Sequence, residues 1–404
     1  MTDPTDRPLR APADFAIVLS GGGARGAYQA GVLRGLGRHL PDLRFPIIAG
    51  VSAGGINSVF LAAHPGPLGS AAPDLAEIWR RLTAADIFKV DAQSLAGQFT
   101  RWMARLASGG SPHAPEVRGL VDTQPLHALI ENAVATVDGE IVGIDQNLAG
   151  GLLHAVALTT INYSTGQTVT WVQGRDIRSW HRPRRPCFHT RLTVAHVMAS
   201  AALPLFFPAV RLGDSWHGDG GVRLDAPLSA ALHLGAKRIL AISPRYEMTE
   251  EEAGSQKICG YPAPAQILSH LMNAIFLDVI DRDARQLAMM NKLLTRLPPE
   301  DRQGLRPVDI VVVRPSQDLG GLAGDYEHRL PRALRHLTRS LGTPETSTSD
   351  LISFVMFQPD YMEQLMEIGE RDVEARIDEI RALAGGAGEA GGEAGEPAPP
   401  AIAG

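Results

Sequence analysis

The sequence predicts an α/β protein with a parallel or mixed sheet and helices on its faces. Three observations carry that prediction. Phe15-Ala16-Ile17-Val18-Leu19 is apolar throughout, the pattern of a strand buried on both faces, and it runs into glycines. Residues 26–40 follow with helical spacing, and Val32, Leu33 and Leu36 mark the inner face. Residues 46–49 and 54–63 then repeat the order of strand, turn and helix.

The remaining elements follow in chain order. Residues 64–115 are less regular and rich in Gly, Pro, Ser and Ala. Residues 126–134 read as a helix, and 152–160 and 168–172 as strands joined by the turn Asn162-Tyr163-Ser164-Thr165-Gly166. Residues 193–202 read as a helix stopped by Pro204. Residues 238–243 and 308–313 read as buried strands. Residues 264–294 form one long helical pattern, apolar at Ile267, Leu268, Leu271, Ile275, Val279 and Leu287. Residues 326–341 and 349–383 also read as helical, the former with Leu330, Leu334, Leu337 and Leu341 on one face. From residue 385 onward the chain is Gly, Ala, Glu and Pro, too poor in large apolar groups to fold. The expected division is a disordered lead at 1–13, a main domain at 14–322, a helical extension at 323–384 and a disordered tail at 385–404.

Composition narrows the function. A net charge of −6 over 404 residues leaves no global basic footprint for nucleic acid. Cys187 and Cys259 make no disulfide framework and have no metal-ligand spacing, which fits a reducing compartment. The start Met1-Thr2-Asp3-Pro4 lacks the features of a signal peptide, so a cytoplasmic protein is expected. The uncharged stretch 45–63 imitates a membrane span. Pro46, Ser52, Asn57 and Ser58 within it fit a buried strand, turn and helix better.

Three blocks carry chemistry. Gly50-Val51-Ser52-Ala53-Gly54 places a serine between a strand and a helix, on a turn sharp enough to strain its backbone. Ser20-Gly21-Gly22-Gly23-Ala24-Arg25-Gly26 follows a buried strand and opens a helix. Its unpaired amides suit a developing oxyanion, and Arg25 can brace the loop or meet a phosphate. Asp219 in Trp216-His217-Gly218-Asp219-Gly220-Gly221-Val222 sits in a glycine-packed turn that a partner approaches freely. A rival reading takes Gly21, Gly23 and Gly26 as a dinucleotide turn. The acidic residue it requires falls at Asp42, in a loop, and no Walker lysine follows. His233, His270, His328 and His336 lie in helical patterns without a loop signature, and His217 is the histidine best placed to replace Asp219 as the base.

With the block Ala199-Ser200-Ala201-Ala202-Leu203-Pro204 and Phe207-Pro208, these motifs resemble the patatin-like phospholipases, as found in bacterial patatin-like proteins, over about residues 14–245. The resemblance implies a three-layer α/β/α fold with a mostly parallel central sheet. It also implies a Ser–Asp dyad without histidine, with Ser52 as nucleophile and Asp219 as base. Gly50 and Gly54 flank the elbow, and Gly21, Gly22, Gly23, Ala24, Arg25 and Gly26 supply the oxyanion hole. Ser20 stands where plant patatins carry an aspartate, which leaves the backbone donors intact. The implied activity is hydrolysis of lipid carboxylic esters, of phospholipase A or lysophospholipase type, with no metal or organic cofactor. A carboxylesterase or acyltransferase with the same dyad, and a non-catalytic lipid- or nucleotide-binding module, are the alternatives. A lipid substrate implies peripheral membrane contact, for which Trp102 and Met103 within 99–106, and Trp180 within the basic stretch 175–185, are the candidates.

Overall fold

In the computed structural model the run Phe15–Leu19 forms β1, and Gly26–His39 forms α1 behind a single 3₁₀ turn at Gly23–Arg25. The described residues are 14–89, 119–177, 179–182, 184–254, 263–331 and 349–385, with isolated positions at 97, 100, 101 and 335. The chain continues through β2 (Ile47–Gly50), α2 (Ala53–Ala63), α3 (Leu68–Arg81), α4 (Ala84–Ile87) and α5 (Gln124–Ala133). The short hairpin β3 (Thr136–Val137) and β4 (Glu140–Ile141) leads to α6 (Val142–Ala149), β5 (Ala155–Asn162) and β6 (Gln167–Gly174). Next come β7 (His181–Arg182), β8 (Arg185–His189), α7 (Val194–Ser200), β9 (Val210–Leu212), β10 (Ser215–Asp219), α8 (Ser229–His233) and β11 (Arg238–Ile242). The last elements are α9 (Glu250–Gly254), α10 (Pro264–Phe276), α11 (Val279–Leu294), β12 (Asp309–Val313), α12 (Leu319–Asp325), α13 (Ser349–Val355), α14 (Pro359–Glu374) and α15 (Ile377–Gly385).

The sheet runs β12-β11-β1-β2-β5-β6-β8-β7. Its first five strands are parallel, and β6 turns antiparallel to β5. Side chains alternate between two cores, as the pleat requires. Phe15, Ile17 and Leu19 join one buried cluster with Leu240, Ile242 and the helices α1, α2, α3 and α14. Ala16, Val18, Ala49, Ala155 and Ala157 join a second cluster with α8 and α11. The result is the expected three-layer α/β/α arrangement with a mostly parallel sheet. Larger side chains face the first layer, and several alanines let the second helix layer approach closely.

β5 fixes where the sequence motifs meet. One of its edges carries β2 as far as Gly50, opposite Leu158. Beyond that point the same edge takes β10 in antiparallel pairing, with Asp219 opposite Thr160. Strand ends from opposite directions therefore meet on one edge, two residues apart in register. At about 3.3 Å per residue, the turn after β2 and the end of β10 are brought side by side.

Several expectations change. Residues 215–219 are a strand ending in a 3₁₀ turn, not an open loop, because the free edge of β5 pairs them despite Gly218. Residues 264–294 are two helices: the amides of Leu277 and Asp278 both turn back to the Asn273 carbonyl, and the next helix starts at Val279. The irregular stretch hides α3, whose Leu68, Ala71, Ala72, Leu75, Ala76 and Trp79 form a buried stripe around Pro73. The pattern at 349–383 breaks into α13, α14 and α15. α14 lies along α1, with Tyr28 donating to Asp372 at 3.0 Å and Arg34 pairing with Glu363 and Glu370. Leu330 is buried, while Leu334, Leu337 and Leu341 lie outside the described residues. No helix among the described residues is long and apolar enough to cross a membrane.

Candidate active site

Ser52 has φ 58° and ψ −132°, a left-handed backbone that a side chain adopts only under constraint. Its neighbours show the constraint. A methyl at Gly54 would stand 2.3 Å from the Leu19 carbonyl oxygen, and one at Gly50 would stand 2.2 Å from Ser58 Oγ. Only glycines let the turn close against the end of β1. The Ser52 side chain makes no capping bond to α2, although it occupies the N-cap position. Its backbone amide instead donates to Ser200, reaching both the carbonyl oxygen and Oγ at 3.1 Å. The hydroxyl is thus left free of the helix it precedes.

Asp219 is fully buried at the end of β10. Its amide donates to the Ala202 carbonyl at 3.0 Å, and its Oδ1 accepts the Gly221 amide at 2.9 Å. Oδ2 is buried with no hydrogen-bond partner. Burial pushes the carboxyl from its ordinary value of 3.8 up to about 7, against the opposing pull of the nearby Ser52 hydroxyl and the Gly221 amide. Ser52 and Asp219 are therefore neighbours, although no hydrogen bond of normal geometry joins them. Neither has a histidine partner among the described residues. His217 is buried and engages Thr160 Oγ1 through Nδ1 at 3.0 Å. Burial lowers its pKa and, with the nearby His217, takes that of His196 to about 4.

The glycine loop closes the third side. A methyl at Gly21 would stand 2.9 Å from Ser52 Cβ, so the loop lies directly against the serine. Gly21 and Gly22 amides take no acceptor among the described residues. Ala24 and Arg25 are buried in the turn that follows, and Gly26 begins α1 with the Trp79 ring against it. Asp42 is exposed in the turn after α1.

Ser52, Gly22 and Gly23 open onto a cleft whose empty space, open solvent included, is about 960 Å³. Leu75, Trp79, Ile130, Val197, Phe276 and Phe357 are among its walls, and no charged side chain among the described residues lines it. A polar chain behind the wall ties it to the loop. Trp79 Nε1 donates to Asn57 Oδ1 at 2.8 Å, Asn57 Nδ2 donates to Gln29 Oε1 at 3.0 Å, and Gln29 Nε2 donates to the Ser20 carbonyl at 2.7 Å. Sequence reasoning missed Gln29, Asn57 and Ser200 as supports. The available signals were Asn57, a polar residue inside an apolar helix, and Ser200, inside a block otherwise apolar. Of the membrane-contact candidates, Trp102 and Met103 lie outside the described residues. Trp180 is half-buried and stacks on His233 with ring centroids 4.6 Å apart, so its ring is turned to the protein.

The chain is similar to several known proteins. A cGAMP-activated phospholipase of Pseudomonas aeruginosa (strain BWHPSA011 / Pa011) is 28% identical over 227 residues, 55% of this chain and 56% of that protein. The match thus spans about half the length of that curated relative. Among solved structures, human GIVD cytosolic phospholipase A2 is 12% identical with a TM-score of 0.43, covering 92% of this chain and 60% of its own. VipD from Legionella pneumophila is 10% identical with a TM-score of 0.29, covering 88% and 67%. A sequence model of the patatin-like phospholipases matches residues 17–232, from within β1 to beyond Asp219. That match takes in the glycine loop, the strained serine and the buried carboxylate alike, and by it the chain belongs to the patatin-like phospholipase family.

Proposed function

We propose that this chain is a lipid acyl hydrolase of phospholipase A or lysophospholipase type, working through a Ser52–Asp219 dyad. One observation carries the reading: a strained serine, unused as a cap, lines an uncharged apolar cleft and sits beside a buried carboxylate with an unpartnered oxygen. An acyl chain fits such a cleft, whereas a dinucleotide requires polar and charged partners. The relative named as a phospholipase supports the substrate class.

In this reading Ser52 Oγ attacks the ester carbonyl carbon while Asp219 takes its proton. A carboxyl raised to about 7 is a far better base than an ordinary one near 3.8. The free amides of the Gly21–Gly23 loop face the oxyanion, and each such donor typically contributes about 3 kcal/mol to barrier lowering. The ester C–O bond breaks, and the proton on Asp219 passes to the leaving alcohol. Water then attacks the acyl-serine, gives its proton to Asp219, and the fatty acid leaves as Ser52 regains its hydrogen. The reading places the enzyme in the cytoplasm, reaching membrane lipids peripherally.

A fluorophosphonate probe tests this. Labelling is expected at the Ser52 peptide by mass spectrometry, and Ser52→Ala and Asp219→Ala are each expected to lower turnover by about 10³-fold or more. Turnover of phospholipid vesicles that survives Ser52→Ala overturns the assignment. Turnover confined to soluble nitrophenyl esters redirects it to a carboxylesterase, and acyl transfer to an added alcohol in preference to water redirects it to an acyltransferase.

A further inference from the structure

Arg25 is only 3% exposed, and a guanidinium so deeply buried needs partners. Among the described residues its side-chain hydrogen-bond partners come from α13, more than 300 residues along the chain. Nη2 donates to Asp350 Oδ1 at 2.9 Å, and Nε donates to Ser353 Oγ at 2.8 Å. The guanidinium carbon lies 5.1 Å from the centroid of the Phe354 ring. Asp350 is held from its other side, where Oδ2 accepts Asn273 Nδ2 of α10 at 3.0 Å. The backbone of α12 backs the carboxylate so closely that a methyl at Gly320 would stand 1.8 Å from Asp350 Oδ1.

This cluster reaches the glycine loop directly. The Arg25 amide donates to the Gly22 carbonyl at 3.1 Å, so a shift of Arg25 moves the loop. Gly23 has φ 57°, and a methyl there would stand 2.2 Å from the Phe354 carbonyl oxygen. The neighbouring Phe354, Val355 and Phe357 line the cleft. The segment that roofs the cleft is therefore also the segment that grips the loop.

We infer that Asp350 is a positioning residue for the Gly21–Gly26 loop. It acts through Arg25, and Asn273 steadies its second oxygen. The inference rests on the proposed acyl-hydrolase reading. Asp350 is 37% exposed, so neutralising it opens no core cavity. What it removes is the orientation of a buried cation one hydrogen bond away from the loop, and misplaced donors weaken oxyanion binding more than ground-state binding.

The test uses the full chain and a short-chain nitrophenyl ester, whose acyl group leaves the cleft largely empty. Asp350→Asn is expected to lower kcat roughly 10- to 100-fold with KM nearly unchanged. Fluorophosphonate labelling of Ser52 is expected to slow by a similar factor. Asn273→Ala gives a smaller loss in the same direction, and Asp350→Glu restores part of the rate. Arg329→Ala, which breaks the Arg329–Asp360 pair on the neighbouring helix, is the control and leaves kcat unchanged. An Asp350→Asn enzyme with kcat within twofold of wild type overturns the inference, as does a kcat loss matched by Arg329→Ala at equal loss of Tm. Should Asp350→Asn fail to fold, Asn273→Ala with unchanged kcat and labelling rate overturns it equally. Failure of the parent reading is distinguishable, since it shows as turnover in Ser52→Ala.

Discussion

Burial of Asp219 sets two pH dependences that run in opposite senses. A base must be ionised to take the serine proton, so kcat/KM for a neutral ester is expected to rise through a pKa of about 7. A pH–rate profile between pH 5 and 9 checks this, and activity that is flat down to pH 5 contradicts it. Stability runs the other way. The folded carboxyl holds its proton up to about 7, while the unfolded chain releases it near 3.8. The penalty on folding is absent below the unfolded pKa, grows between the two values, and is complete above about pH 7. Three pKa units correspond to about 4 kcal/mol. Asp219→Asn, which cannot ionise, should therefore gain stability relative to wild type between pH 4 and pH 8 by a sum of that order, read from urea unfolding, while losing turnover. Ser52 was legible at this scale because flanking glycines answer to local sterics. Ser200 was not, since its value lies in receiving the Ser52 amide and in donating through Oγ to the Thr159 carbonyl at 2.8 Å, contacts that cross separate segments.

Elements carry information that single residues lack. β1, α1, β2 and α2 were readable because each buries a continuous apolar pattern whose period is set by its own backbone. β10 was not, because Gly218 and Asp219 read locally as a turn, and only the free edge of β5 makes a strand of them. The α1–α14 contact shows the same override in energetic form. In an isolated helix Gly31→Ala stabilises by up to about 1 kcal/mol. Here the added methyl would stand 2.1 Å from the Met366 carbonyl oxygen. Overpacking of that kind typically costs about 1–3 kcal/mol or more, so the contact wins over propensity. Gly31→Ala is expected to lower the unfolding free energy by about 2 kcal/mol, measured by urea titration. An increase would show that the helices part easily.

The whole molecule adds the cleft, which no segment owns. Its walls come from α2, α3, α5, α7, α10 and α13, so residues from 22 to 357 meet around one apolar space. Ile130→Trp, placed on the α5 wall, is expected to reduce kcat/KM for long-chain esters roughly tenfold while sparing short-chain ones, since a filled site excludes methylenes by their burial energy. Loss on both substrates alike would indicate damage to the serine turn instead. The same scale explains why α13 and α14 matter. Tyr361, Met362, Leu365 and Met366 are buried in the core shared with β1 and α1, although they lie more than 300 residues from either.

The sequence by itself determined the α/β class, the strained serine turn and the glycine loop, because each depends on short-range sterics or on one element's periodicity, whereas Asp219 was singled out only by the family resemblance of the motifs around it. The tertiary structure alone decided that the turn after β2 and the end of β10 meet at one edge of β5, that Asp219 is buried with its carboxyl pushed up to about 7, and that Arg25 is gripped by residues of α13. Those facts depend on which surfaces exclude water from which, and exclusion is a property of the packed assembly rather than of any stretch of chain.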